Sequence, residues 1–187
     1  MVGLMNEVKQ RGGMVTVHAT NGDMIDFLIA KNRAEGNLAP LYHHLSQPEI
    51  TEAEASERFA SIAGYTGCPG YIVHMTCEGA LNAVRDNNRH NQKVFAETCI
   101  QYLLLDASLY EQNFDGAKWV MSPPLREKKD QEALWAGINQ GLVQVVATDH
   151  CPFKWEQKLM GKYDFSKIPN GHPAIEHRVE LLFSEGV

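Results

Sequence analysis

The sequence lacks the features by which several classes of protein are recognised. No apolar run reaches the roughly 18 residues that a membrane-spanning helix needs, and the N-terminus has no signal-peptide shape, so a cytoplasmic protein is expected. The four cysteines, Cys68, Cys77, Cys99 and Cys151, lie far apart and form no CxxC pair. That spacing argues against a zinc knuckle or a disulfide framework and fits reduced packing thiols. Cys151 stands close to Asp149, but nothing beside it favours a nucleophile over a small packing residue. Lysine and arginine are scattered through a chain of net charge -6, which removes the case for a nucleic-acid footprint or an anionic-membrane patch. Repeats, low-complexity tracts and linkers are missing too, so the 187 residues, 44% of them hydrophobic, read as a single domain with its own core.

What is present centres on Val145-Val146-Ala147-Thr148-Asp149-His150-Cys151-Pro152. Small and β-branched residues here read as a buried strand, and the run stops on an acid, an imidazole and a proline. Similar short runs recur along the chain. Met14–Val17 ends at His18, Gly70–Val73 at His74, Lys93–Ala96 at Glu97, Ala117–Met121 at Ser122, and Leu142–Thr148 at Asp149. Between them stand helical patterns. One spans Met1–Gln10 before the Gly12-Gly13 pair, a second Met24–Lys31, and a third opens on a capping box at Thr51-x-x-Glu54 and continues to Ala63. Cys77–Asn87, Asp130–Gln140 and Ala174–Ser184 complete the set, while Asn37–Pro48 and Cys151–Pro173 read as loops. Alternating strand and helix predict a parallel α/β sheet with right-handed crossovers, either an open doubly wound domain or the second half of an eight-stranded barrel. Both ends read as cut.

In a parallel sheet the C-terminal strand ends converge on one mouth, where chemistry is usually housed. His18, His74, Glu97 and Asp149 would meet there. Two neutral imidazoles and a carboxylate suit zinc, manganese or cobalt and are too poor in oxygen for calcium. A divalent ion so held could lower the pKa of a bound water to about 7. Each histidine taken singly reads as a hydrogen-bonded structural residue, and spacing alone leaves both roles open. Glu97 could act one step back, orienting a ligating histidine. His43-His44 reads as solvated surface, and His172 and His177 have no specific support.

Six stretches together resemble the bacterial D-hydantoinase/dihydropyrimidinase family of the amidohydrolase superfamily. They are Val17-His18-Ala19-Thr20-Asn21-Gly22-Asp23, Val73-His74-Met75-Thr76-Cys77, Glu97-Thr98-Cys99-Ile100-Gln101-Tyr102-Leu103, Ser122-Pro123-Pro124-Leu125-Arg126-Glu127, Thr148-Asp149-His150-Cys151 and Ile168-Pro169-Asn170-Gly171. The resemblance implies a (β/α)8 barrel of metal-dependent hydrolase type, present here as a partial barrel of about strands 5 to 8. Residues 1–187 would form one partial catalytic domain, without the N-terminal half of the barrel or the β-sandwich. It implies hydrolytic opening of dihydropyrimidines or 5-substituted hydantoins by two divalent ions, usually zinc, in a homotetramer. By position, His18 and His74 match ligands of the more exposed ion. Asp149 matches the ligand of the more buried ion that also shuttles the proton from the nucleophile to the leaving nitrogen. Ser122 and Asn170 match residues whose main-chain groups hold the cyclic imide.

The family's His-x-His pair, its bridging carboxylated lysine and a substrate-binding tyrosine have no counterpart in these residues. Thr20 replaces a common Glu at a non-ligand position expected to matter little. Three rival readings therefore stand beside a cyclic amidase: a catalytically inactive fragment, a non-enzymatic scaffold relative, and an allantoinase- or dihydroorotase-type enzyme. The Ser-Pro-Pro-Leu-Arg-Glu and Ile-Pro-Asn-Gly stretches lean towards hydantoinase.

Overall fold

The computed structural model describes residues 1–88 and 93–186. Strands β1 (Val15–Val17), β2 (Gly70–Ile72), β3 (Val94–Cys99) and β4 (Val145–Ala147) form one sheet in the order β1-β2-β3-β4, and every pairing is parallel. Spatial order equals sequence order, so each strand is laid beside its predecessor by a helical crossover. The helices are α1 (Val2–Gln10), α2 (Gly22–Ala34), α3 (Leu41–Leu45), α4 (Glu49–Thr66), α5 (Glu78–Asn88), α6 (Ile100–Leu104), α7 (Lys128–Asn139), α8 (Trp155–Lys158) and α9 (Arg178–Gly186).

Local chemistry sets these boundaries. Asn21 caps α2 by accepting from the Met24 amide at 3.1 Å. Gly67 ends α4 in the left-handed region, at φ 66°, and the Lys9 ammonium reaches the Thr66 carbonyl at 2.8 Å, placing a cation at the negative end of that helix. Helix α4 lies so close on β2 that a Cβ at Gly70 would stand 2.7 Å from the Phe59 ring. Met5, Ile72, Leu81, Val84, Val94 and Leu134 fill the layer between helices and sheet. Glu52 of α4 and Arg126 form a buried ion pair at 3.2 Å; Arg126 also donates to Thr76 Oγ1 and to the Gln47 carbonyl.

Several expectations need correction. The capping box does not form: α4 starts at Glu49 after Pro48, Thr51 lies inside the first turn donating to the Pro48 carbonyl, and Glu54 accepts from Asn21 instead. Ala117–Met121 is no strand. Asn113–Trp119 is a 3-10 helix, in which Gly116 packs under Tyr110 with room for no side chain, and Pro123 and Pro124 bring no amide for a ladder. Strand β3 runs on to Cys99, so Glu97 lies within it, opposite Val145, rather than at its end. Helix α9 begins at Arg178, not Ala174. Short helices also occupy both expected loops: α3 in the first, and α8 with 3-10 turns at Leu159–Gly161 and Phe165–Lys167 in the second.

Candidate active site at the strand ends

His18 directly follows β1, and His74 and Asp149 each stand two residues beyond β2 and β4. The last two have φ 41° and 45°, and Asn113 is the one other non-glycine residue with positive φ among those described. Such a conformation costs a non-glycine residue about 1–2 kcal/mol. Its repetition at two strand ends marks a shaped site, since strain persists where surrounding structure enforces it. At His74 the enforcement is visible: its amide donates to Glu97 Oε1 at 3.4 Å, and the Met75 amide donates to the Glu97 carbonyl at 2.7 Å. Tyr71 fixes the other carboxylate oxygen through its hydroxyl at 2.6 Å. Burial, followed by that bond, raises the Tyr71 pKa and keeps the phenol protonated. Glu97 thus steadies His74 through its backbone, not through its ring.

The two imidazoles face each other. His18 Nδ1 lies 2.8 Å from His74 Nε2, with the rings edge to face at a centroid distance of 4.6 Å. One nitrogen of this pair carries the shared proton and the other presents its lone pair. Thr20 Oγ1, 2.7 Å from His18 Nε2, holds the far side of the first ring. The position expected to matter little therefore orients a site histidine. His18 is exposed overall, yet shielding of the face turned towards His74 lowers its pKa, the neighbouring imidazole lowers it further, and Glu52 and Asp149 act in the opposite sense. Both effects that lower it favour neutral, ligating imidazole. His74 is buried, and among the described residues its Nδ1 has no hydrogen-bond partner. Asp149 is exposed, and among the described residues no three His, Cys, Asp or Glu side chains are gathered as a metal-binding group. The structure brings His18 and His74 together and leaves Asp149 as a separate carboxylate whose field reaches His18.

Ser122 lies in a segment whose carbonyls are claimed one after another. Trp119 O accepts from the Tyr110 hydroxyl at 3.1 Å, Val120 O from the Gly171 amide at 3.0 Å, Met121 O from His43 Nε2 at 2.7 Å, and Pro123 O from the Tyr102 hydroxyl at 2.8 Å. Among the described residues, no protein donor reaches the Ser122 carbonyl itself. The Ser122 hydroxyl is turned aside to Gln47 Oε1 at 3.1 Å. His43 is therefore no solvated surface residue: it is buried, and burial pushes its pKa down to about 4. His44 stacks on Tyr110 at 5.7 Å and is partly shielded as well.

The exposed Asn170 sits on a turn fastened to the same segment. The Gly171 amide donates to Val120 O, and the Cys151 amide to the His172 carbonyl at 3.2 Å. A Cβ at Gly171 would stand 2.2 Å from the Cys151 carbonyl, so only glycine lets the turn press against the segment that follows β4. Lys158 is 3% exposed and sends its ammonium to the carbonyls of Val120, Pro169 and Gly171. Sequence reasoning missed Lys158 and His43, and nothing in composition or spacing separates Lys158 from the exposed Lys154 and Lys162.

Similarity to known proteins decides the lineage. The chain is 46% identical over 181 residues to the D-hydantoinase of Geobacillus stearothermophilus, and 41% identical over 181 residues to that of Rhizobium radiobacter. A crystal structure of D-hydantoinase superposes on all of this chain with a TM-score of 0.97 at 46% identity, as does dihydropyrimidinase from Brevibacillus agri, with 0.97 at 43%. This chain belongs to the D-hydantoinase/dihydropyrimidinase family. No family model matches it. The two sequence alignments cover 96% of the chain but 38% and 40% of the relatives, and each superposition covers 41% of the solved structure. The chain thus spans about two-fifths of the length of the hydantoinases it matches. Its four parallel strands are a partial (β/α) barrel of hydantoinase type. Among the described residues no helix is long and apolar enough to cross a membrane.

Proposed function

We propose that these residues form one side of the catalytic mouth of a metal-dependent cyclic amidohydrolase, which opens 5,6-dihydropyrimidines or 5-substituted hydantoins to N-carbamoyl amino acids. The observation that carries the reading is the facing His18–His74 pair, two borderline nitrogen donors at 2.8 Å on adjacent strand ends. They fit a divalent ion, zinc before manganese or cobalt, as part of a donor set to which Asp149 would add a carboxylate. When bound, such an ion polarises the ring carbonyl and makes hydroxide available near neutral pH. The rest of the chemistry belongs to side chains and backbone. Asp149, exposed at the mouth, is suited to take the proton of the attacking oxygen and return it to the leaving ring nitrogen. The open carbonyl of Ser122 and the main chain of Asn170 are suited to the imide N–H and C=O, because those groups need one acceptor and one donor in fixed positions.

A cytoplasmic homotetramer, with residues 1–187 as one portion of its barrel domain, completes the proposal. A second reading, that the chain alone is inactive, is favoured by the lack of a three-donor metal group among the described residues. A non-enzymatic scaffold relative would have no reason to keep both histidines and Asp149. The test is ring opening of 5,6-dihydrouracil and 5-phenylhydantoin by zinc-loaded enzyme reconstituted from this chain and the complementary barrel half of the G. stearothermophilus relative. Asp149→Asn should lower kcat by about 10³-fold or more with the fold intact, as loss of an essential proton carrier does. Near-normal turnover would overturn the role given to Asp149.

A further inference from the structure

We propose that Lys158 is the positioning residue of the substrate mouth, its ammonium locking the Ser122 and Asn170 segments at one fixed separation. The inference rests on the proposed imide-binding role of those two segments and assigns the group that holds them in register.

The ammonium has three N–H donors, and three carbonyls accept them: Pro169 O at 2.7 Å, Val120 O at 2.8 Å and Gly171 O at 3.1 Å. Its donor capacity is filled by main chain alone. A buried cation normally needs a carboxylate, and here no ion pair with one is formed among the described residues. Three converging carbonyl dipoles stand in for the counter-ion, and the Phe153 ring lies 5.5 Å below the nitrogen.

The choice of carbonyls carries the argument. Pro169 and Gly171 flank Asn170, and Val120 lies two residues before Ser122. One ammonium therefore ties both arms of the mouth, and the Gly171 amide bond to Val120 O runs parallel to that tie. An apolar side chain could fill the same space but would leave the Pro169 and Gly171 carbonyls unpaired beside the site, with Val120 O held by the Gly171 amide alone. Main-chain recognition has no side chain with which to adjust its reach, so the distance between the arms has to be set from behind.

The experiment compares wild type with Lys158→Met, with Lys158→Gln as a second variant retaining two donors, and with Lys162→Met as an exposed control. In this chain, amide exchange at Gly171 should quicken by about 10-fold or more in Lys158→Met, while exchange in β2 and α5 stays unchanged. In the reconstituted enzyme, KM for 5,6-dihydrouracil should rise about 10-fold with kcat within about threefold, the pattern of lost ground-state positioning. Lys158→Gln should fall between, and Lys162→Met should match wild type. Unchanged Gly171 exchange overturns the proposal, and so does faster exchange with KM unaltered, which would make Lys158 a structural tie only. A wild-type enzyme that opens no cyclic imide instead refutes the proposed reaction, and the exchange result then decides the tie on its own.

Discussion

At neutral pH His43 donates its Nε2 proton to the Met121 carbonyl at 2.7 Å, and its Nδ1 faces the Gln47 amide nitrogen at 3.5 Å. Protonation would put a charge in a fully enclosed site beside Lys158 and Arg126, and burial followed by these cations holds its pKa at about 4 against 6.5 in the unfolded chain. The sign follows from linkage. A group depressed on folding binds its proton more readily in the unfolded chain, so stability is full above pH 6.5 and is lost as the pH falls from there towards about 4. From those two values, His43 should remove about 2 kcal/mol between pH 7.5 and pH 5. Urea unfolding at the two pH values, in wild type and His43→Gln, isolates this contribution. The variant should be less stable at pH 7.5, where it weakens the grip on Met121, yet lose about 2 kcal/mol less on acidification. Parallel losses in both proteins would refute the placement of His43 as a buried neutral acceptor and donor.

Two further outcomes follow from packing and exposure. Gly171→Ala, whose Cβ would come within 2.2 Å of the Cys151 carbonyl, should lower stability by about 1–3 kcal/mol in urea titration, since backbone rather than a side chain must yield. Of the four thiols only Cys151 is exposed, while burial raises the pKa values of Cys77 and Cys99, so a thiol reagent should label one cysteine rapidly in folded protein and all four in urea.

The parts of this fold legible in the sequence are those governed by local pattern. Val15–Val17, Gly70–Ile72 and Val145–Ala147 are apolar or β-branched runs that end at polar residues, and parallel topology then brings His18 against His74 without further information. Val120 and Met121 show the limit of that reasoning. They are apolar and buried like strand residues, but their carbonyls are paired by Lys158 and His43, partners remote in sequence that pattern cannot reveal. Thr51-x-x-Glu54 failed for a related reason: Pro48 starts α4 earlier, and Asn21 takes the carboxylate that the cap needed. His43 and Lys158 look like surface residues in a polar stretch because their burial is decided by segments far along the chain. Asp149 was legible as a strand-end carboxylate, and its exposed position apart from the two histidines was not.

The role proposed for His18 and His74 is that of a metal-facing pair at the strand ends. Titration of this chain with zinc, followed by imidazole nitrogen NMR, tests it most directly. His18 Nδ1 and His74 Nε2 should shift together, and His18→Ala should remove the response of His74. Zinc that leaves both nitrogens unshifted, or that binds equally well in His18→Ala, would contradict it.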